Sequence, residues 1–150
     1  MSNRLKFEDI IERDGRLIYT NVGNSMEPLI CQGRDLIVID KPSGRLKKYD
    51  IAMYRRKSGQ CVLHRIVKVK KNSYVACGDN QIAVECGIED NQVIGVMKAR
   101  IRDDKILLMD SFTARIYAHL WCDFFMIRIF LLKLKRMVNK IANRRYKKRK

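Results

Sequence analysis

The chain has 150 residues, 47% of them apolar, with 32 Lys and Arg against 16 Asp and Glu and a formal charge of +16. That apolar share supports a packed core and excludes global disorder, and the length allows one compact domain plus an appendage. The charge is uneven: residues 128–150 carry eleven Lys or Arg and no acid, which leaves 21 bases and 16 acids over residues 1–127.

Met1–Asp14 is polar and charged, with neither the apolar core of a secretory signal nor a leading membrane span. Residues 5–13 are expected to form a short helix. Strand signals then recur at Leu17–Val22, Asp35–Asp40, Ile51–Arg55, Gln60–Val69, Ser73–Cys77, Gln92–Ala99 and Lys105–Met109. Gly, Pro, Asn and Asp clusters separate them, as at Gln32-Gly33-Arg34, Lys41-Pro42-Ser43-Gly44 and Cys77-Gly78-Asp79-Asn80. Many short strands with such punctuation predict an all-β or mainly β fold over residues 15–110, within a first domain of residues 1–110. From Ser111, whose hydroxyl can cap, the pattern changes to helix, with no Gly or Pro from Thr113 to Val138.

Residues 111–150 therefore form a second segment, a hydrophobic helix with a basic tail. Tyr117–Leu134 is almost apolar but contains His119, Asp123, Arg128 and Lys133. Three readings stay open: an in-plane amphipathic membrane helix, a helix packed on its own domain or a partner, and a true span. The tail seeks an anionic surface. It has one aromatic, Tyr146, so it offers no stacking platform and predicts no specific nucleic acid. Cysteines stand at 31, 61, 77, 86 and 122. No CxxC pair or Cys/His cluster with zinc spacing occurs, so free thiols and no metal or other cofactor are expected.

Three short segments could carry chemistry. Gly23-Asn24-Ser25-Met26-Glu27-Pro28 can present a hydroxyl on a tight turn stiffened by proline. A serine there needs an adjacent base. His64, one of only two histidines, sits in the strand-like run Cys61–Val67, and His64 and Leu63 should face opposite ways. Gly78-Asp79-Asn80, with Glu85, Glu89 and Asp90 beyond it, offers a carboxylate to orient an imidazole.

Together these pieces run in a recognisable order. Gly23–Pro28, Gly33-Arg34-Asp35, Tyr49–Tyr54, His64–Val67, Gly78–Asn80 and Val93–Gly95 resemble the signal peptidase I and SOS-repressor peptidase superfamily. His64 stands where most bacterial members have Lys. The chain is therefore similar to the Ser-His branch, the archaeal and endoplasmic-reticulum-type enzymes. The resemblance implies a signal-peptidase-like β-rich catalytic domain and a serine endopeptidase acting on a peptide or preprotein. Ser25 would be the nucleophile and His64 the general base. Asp79 would be the supporting acid, with Glu85 second and Asp90 a further rival. Asn24, Met26 and Pro28 would shape the substrate cleft. Gly23 replaces a family serine, so the oxyanion site would rest on backbone amides together with Asn24. The resemblance and the tail place the chain at a prokaryotic cell membrane, with the cytoplasm as the alternative. Rival readings are a non-catalytic peptide-binding module of the same fold, a self-cleaving repressor-like regulator, and a nucleic-acid-binding protein using its basic tail.

Overall fold

The computed structural model describes residues 6–20 and 22–147. Leu5, Asn21 and the last three residues of the basic tail lie outside them. Helix α1, Phe7–Asp14, carries Glu8 and Asp9 in its first turn, where the helix dipole favours acids. It ends at Gly15, whose φ of 72° is cheap only for glycine, and whose N–H donates to Ile11 O over 2.9 Å.

Eight strands follow: β1 Arg16–Thr20, β2 Leu36–Asp40, β3 Ile51–Arg55, β4 Cys61–Val69, β5 Tyr74–Cys77, β6 Glu85–Ile88, β7 Val93–Arg102 and β8 Lys105–Leu108. They form one antiparallel sheet in the order β1-β2-β7-β3-β4-β5-β6, with β8 paired to β7. The mainly β expectation holds, and seven strands fall where the alternation placed them. Strand β6 is an addition. It is four residues long, contains Gly87 at a φ of 77°, and pairs β5 with a register shift. Such a segment has no alternation long enough to read.

The strands alternate between two cores. Ile37, Ile39, Ile51, Met53 and Leu63 enter one, where Ile11 of α1 also packs. Ala52, Tyr54, Ile66, Tyr74 and Ala76 enter the other. Gly95 on β7 is required by close packing, since a Cβ there would lie 2.4 Å from Ile39 Cγ2 and 3.0 Å from Asp40 O.

The C-terminal pattern forms two helices, α2 Phe112–Asp123 and α3 Phe125–Lys147, separated at Phe124 (φ −95°, ψ 51°). Ser111 caps α2, accepting from Ala114 N over 3.4 Å. Ala114, Ala118, Arg128 and Leu132 are buried. Of the three readings of this segment, packing against its own domain is therefore realised for one face. No described helix is long and apolar enough to cross a membrane.

Candidate active site

The loop between β1 and β2 carries Ser25. Its apolar residues Met26, Leu29 and Ile30 are buried in the first core and hold the loop from beneath. Its far end is fixed by Asp35, which is buried and accepts from Cys31 N over 2.6 Å. Arg102 of β7 grips the same carboxylate with two bonds of 2.5 Å. These bonds hold the Asp35 carboxyl below its usual range, against the opposing effect of burial. Arg100 Nη1 donates to Leu29 O over 2.9 Å. Sequence reasoning missed both arginines; the signal was basic residues in a strand otherwise bound for the core.

Ser25 is held from the other side by the turn after β5. Asn80 N donates to Ser25 O over 2.8 Å, and Asn80 Nδ2 donates to Asn24 O over 3.0 Å. Gly78 makes this approach possible, because a Cβ there would stand 2.6 Å from Ser25 O. Gly23 has a φ of 97°, and its N–H donates to Gln32 Oε1 over 2.7 Å. That amide is thereby committed.

Ser25 and His64 line one cleft of about 330 Å³, together with Asn24, Phe7, Tyr19 and Met53. His64 is on β4, opposite Ala52 of β3, and is only 2% exposed. Leu63 enters the first core while His64 packs edge-on to Tyr54 of the second, as strand alternation requires. His64 Nδ1 lies 3.2 Å from Glu85 Oε1 and 3.2 Å from Tyr54 Oη. A carboxylate only accepts, so Nδ1 carries the proton and Nε2 presents a lone pair. Burial lowers the His64 pKa, with Glu85 pulling the other way. The imidazole is therefore neutral near pH 7.

Glu85 begins β6 and pairs across from Ala76. Arg56 holds it through two hydrogen bonds, one of 2.8 Å from Nε and a second from Nη2. The bonds from Arg56 keep the Glu85 carboxyl below its ordinary range. Arg56 and Tyr54 were not among the expected site residues. Their signal was weak, a Tyr on the strand beside His64 and an Arg just past that strand's end.

Asp79 stands elsewhere. It is wholly buried and binds Arg65 through Nε (2.9 Å) and Nη2 (2.7 Å). Tyr117 Oη donates to the same carboxylate over 3.2 Å. The expected preference for Asp79 over Glu85 as partner of the imidazole is reversed by this geometry, since Arg65 occupies Asp79. Asp90 accepts from Tyr74 Oη and lies 3.8 Å from Arg45, so it too is placed away from His64.

Met26 also needs correction. It was expected to shape the cleft but is 0% exposed and sits in the core. Pro28 is exposed and is not among the cleft-lining residues, whereas Asn24 is. All five cysteines are free thiols. Cys61 lines the cleft, where burial raises its pKa. Among the described residues no His, Cys, Asp and Glu group has metal-binding geometry.

The C-terminal helices reach this site. Trp121 Nε1 donates to Asp79 O over 2.7 Å. Arg128, 2% exposed, donates to Gly78 O over 2.7 Å and also to Gln81 O. The signal for Arg128 was a lone cation between the apolar runs Phe124–Ile127 and Ile129–Leu132, which requires a buried acceptor. Comparison with known proteins finds no matching family model, curated protein or solved structure.

Proposed function

We propose that this chain is a serine endopeptidase similar to the signal peptidases, cutting a peptide bond in a precursor or leader peptide. One observation carries the reading. Ser25 and a buried, neutral His64 share a cleft, and Nδ1 of that imidazole faces a carboxylate fixed by an arginine.

Ser25 Oγ attacks the scissile carbonyl carbon while His64 Nε2 takes its proton. Glu85 stabilises the imidazolium that forms and keeps the ring in the right tautomer. The oxyanion is received at the loop, by the Ser25 N–H and the Asn24 side chain; the Gly23 N–H is already bonded to Gln32. Collapse of the tetrahedral intermediate breaks the C–N bond, and His64 returns the proton to the leaving amine. Water then attacks the acyl-enzyme by the same route. Arg65 and Asp79 do not touch substrate in this scheme. They fix the strand next to His64 and the turn that holds Ser25.

The test is covalent labelling by serine-reactive acylating probes, read by intact mass and peptide mapping. Modification mapping to Ser25 in the parent and lost in Ser25→Ala and His64→Ala supports the reading. Folded protein that no probe modifies across a range of pH would overturn it and favour a non-catalytic peptide-binding module. A probe-reactive protein that cuts only itself would favour the repressor-like alternative.

A further inference from the structure

Helix α3 turns one face to its own domain and leaves an apolar stripe uncovered. Arg128 and Leu132, one turn apart, are 2% and 4% exposed against the domain. Met126, Ile127, Phe130, Leu134 and Met137 recur with helical spacing and stay exposed, Met126 at 76% and Phe130 at 65%. Lys133 and Lys140 are also exposed on this helix. An uncovered stripe of this size marks an interaction surface.

Charge decides what covers it. Residues 128–150 hold eleven Lys or Arg and no acid. A second copy would bring the same cationic segment against itself, in a chain of formal charge +16. A nucleic acid would meet the cations but leave the Met, Phe and Leu side chains in water. An anionic bilayer surface answers both features, since headgroups take the cations and the acyl boundary takes the apolar stripe. No described helix can cross a bilayer, so the helix lies in the plane of the surface. We infer that α3 seats this protein on anionic lipid, with the Met126–Met137 stripe inserted at the interface. This inference does not depend on the peptidase reading.

The test is co-sedimentation of the full chain with phosphatidylcholine vesicles, with and without phosphatidylglycerol. Phe130→Asp and Ile127→Asp/Phe130→Asp would be run beside the parent, with far-UV circular dichroism to confirm folding. Both positions are exposed, so the fold does not depend on them. The expected result is at least about tenfold stronger binding to the anionic vesicles, weakened by salt and lost in the double variant. Equal binding to both vesicle types would overturn the inference. So would anionic binding that the double variant retains, which would assign it to tail charge alone. Absence of vesicle binding, together with a dimer in light scattering or a salt-sensitive shift of nucleic acid, would overturn it in favour of that occupant. Because binding is read without catalysis, loss of the lipid result leaves the Ser25 labelling result standing, and the reverse.

Discussion

Substituting Gly78→Ala tests how Ser25 is held. The backbone of Gly78 is not in the left-handed region, so alanine meets no conformational penalty there. Its cost is contact alone. The added Cβ would stand 2.6 Å from Ser25 O, where ordinary contact begins at 3.4 Å. The serine-bearing backbone must therefore retreat by about 0.8 Å. The same oxygen accepts from Asn80 N over 2.8 Å, so the retreat also strains the clamp between turn and loop. A displacement approaching about 1 Å costs on the order of 10²-fold in rate when it moves a reacting group. Overpacking of this kind destabilises by about 1–3 kcal/mol, which leaves a folded protein to measure. The assay is the rate of Ser25 acylation per folded molecule, with thermal unfolding alongside. Gly95→Ala is the matched control, because its clash falls on Ile39 and Ile11 rather than on Ser25. The reasoning fails if Gly78→Ala acylates at the parent rate, or if Gly95→Ala slows acylation equally.

Glu85→Gln is expected to slow Ser25 acylation by roughly 10²–10⁴-fold with little loss of stability, measured as labelling rate against denaturant midpoint. Asp79→Asn should behave in the opposite way, costing about 3–5 kcal/mol because Arg65 is left buried without its carboxylate; Arg65→Met/Asp79→Leu should recover most of that loss in urea unfolding. Acylation should have an acid limb below the ordinary histidine value of about 6.5, since burial holds His64 neutral and activity is lost only when it protonates. The sign for stability is the same: as pH falls through about 6.5 the unfolded chain takes up the proton first, so stability declines until the folded His64 also protonates. Glu85→Gln should move the acid limb lower still, because the carboxylate that favours imidazolium is gone; a limb that moves up would refute the pairing. Arg128→Met removes the donor to Gly78 O and Gln81 O, and should cost about 1–3 kcal/mol in thermal unfolding.

Much of the sheet was legible because its strands alternate. Ile51–Arg55 is read in full from its apolar run, and Ser111 was recognisable as a cap from its chemistry alone. The loop and turn that meet at Ser25 were legible as glycine-bearing turns, though not as partners, since Gly78 lies 53 positions after Ser25. The identity of the acid was not legible. Asp79 and Glu85 lie six positions apart, and which one meets His64 depends on β6, which sets Glu85 opposite Ala76, on the sheet face that His64 shares. Met26 shows the same limit. A methionine beside a candidate nucleophile reads as a cleft residue, but the loop is held down by its own apolar side chains, and Met26 is one of them.

The Gly78-Asp79-Asn80 turn explains why three distant parts of the chain behave as one unit. Gly78 supplies the space for the Ser25 carbonyl, Asp79 neutralises Arg65 beside His64, and Asn80 ties down Asn24 and Ser25. The turn exposes two carbonyls in return, Gly78 O and Asp79 O, and buried carbonyls need donors. Arg128 of α3 and Trp121 of α2 supply them. The C-terminal segment that composition separates at residue 111 is therefore structurally part of the site. Its inner face completes the hydrogen bonding of the turn that positions the nucleophile. A force that moved α3 relative to the sheet would act through Arg128 on Gly78 O and Gln81 O, and through Asn80 on Ser25.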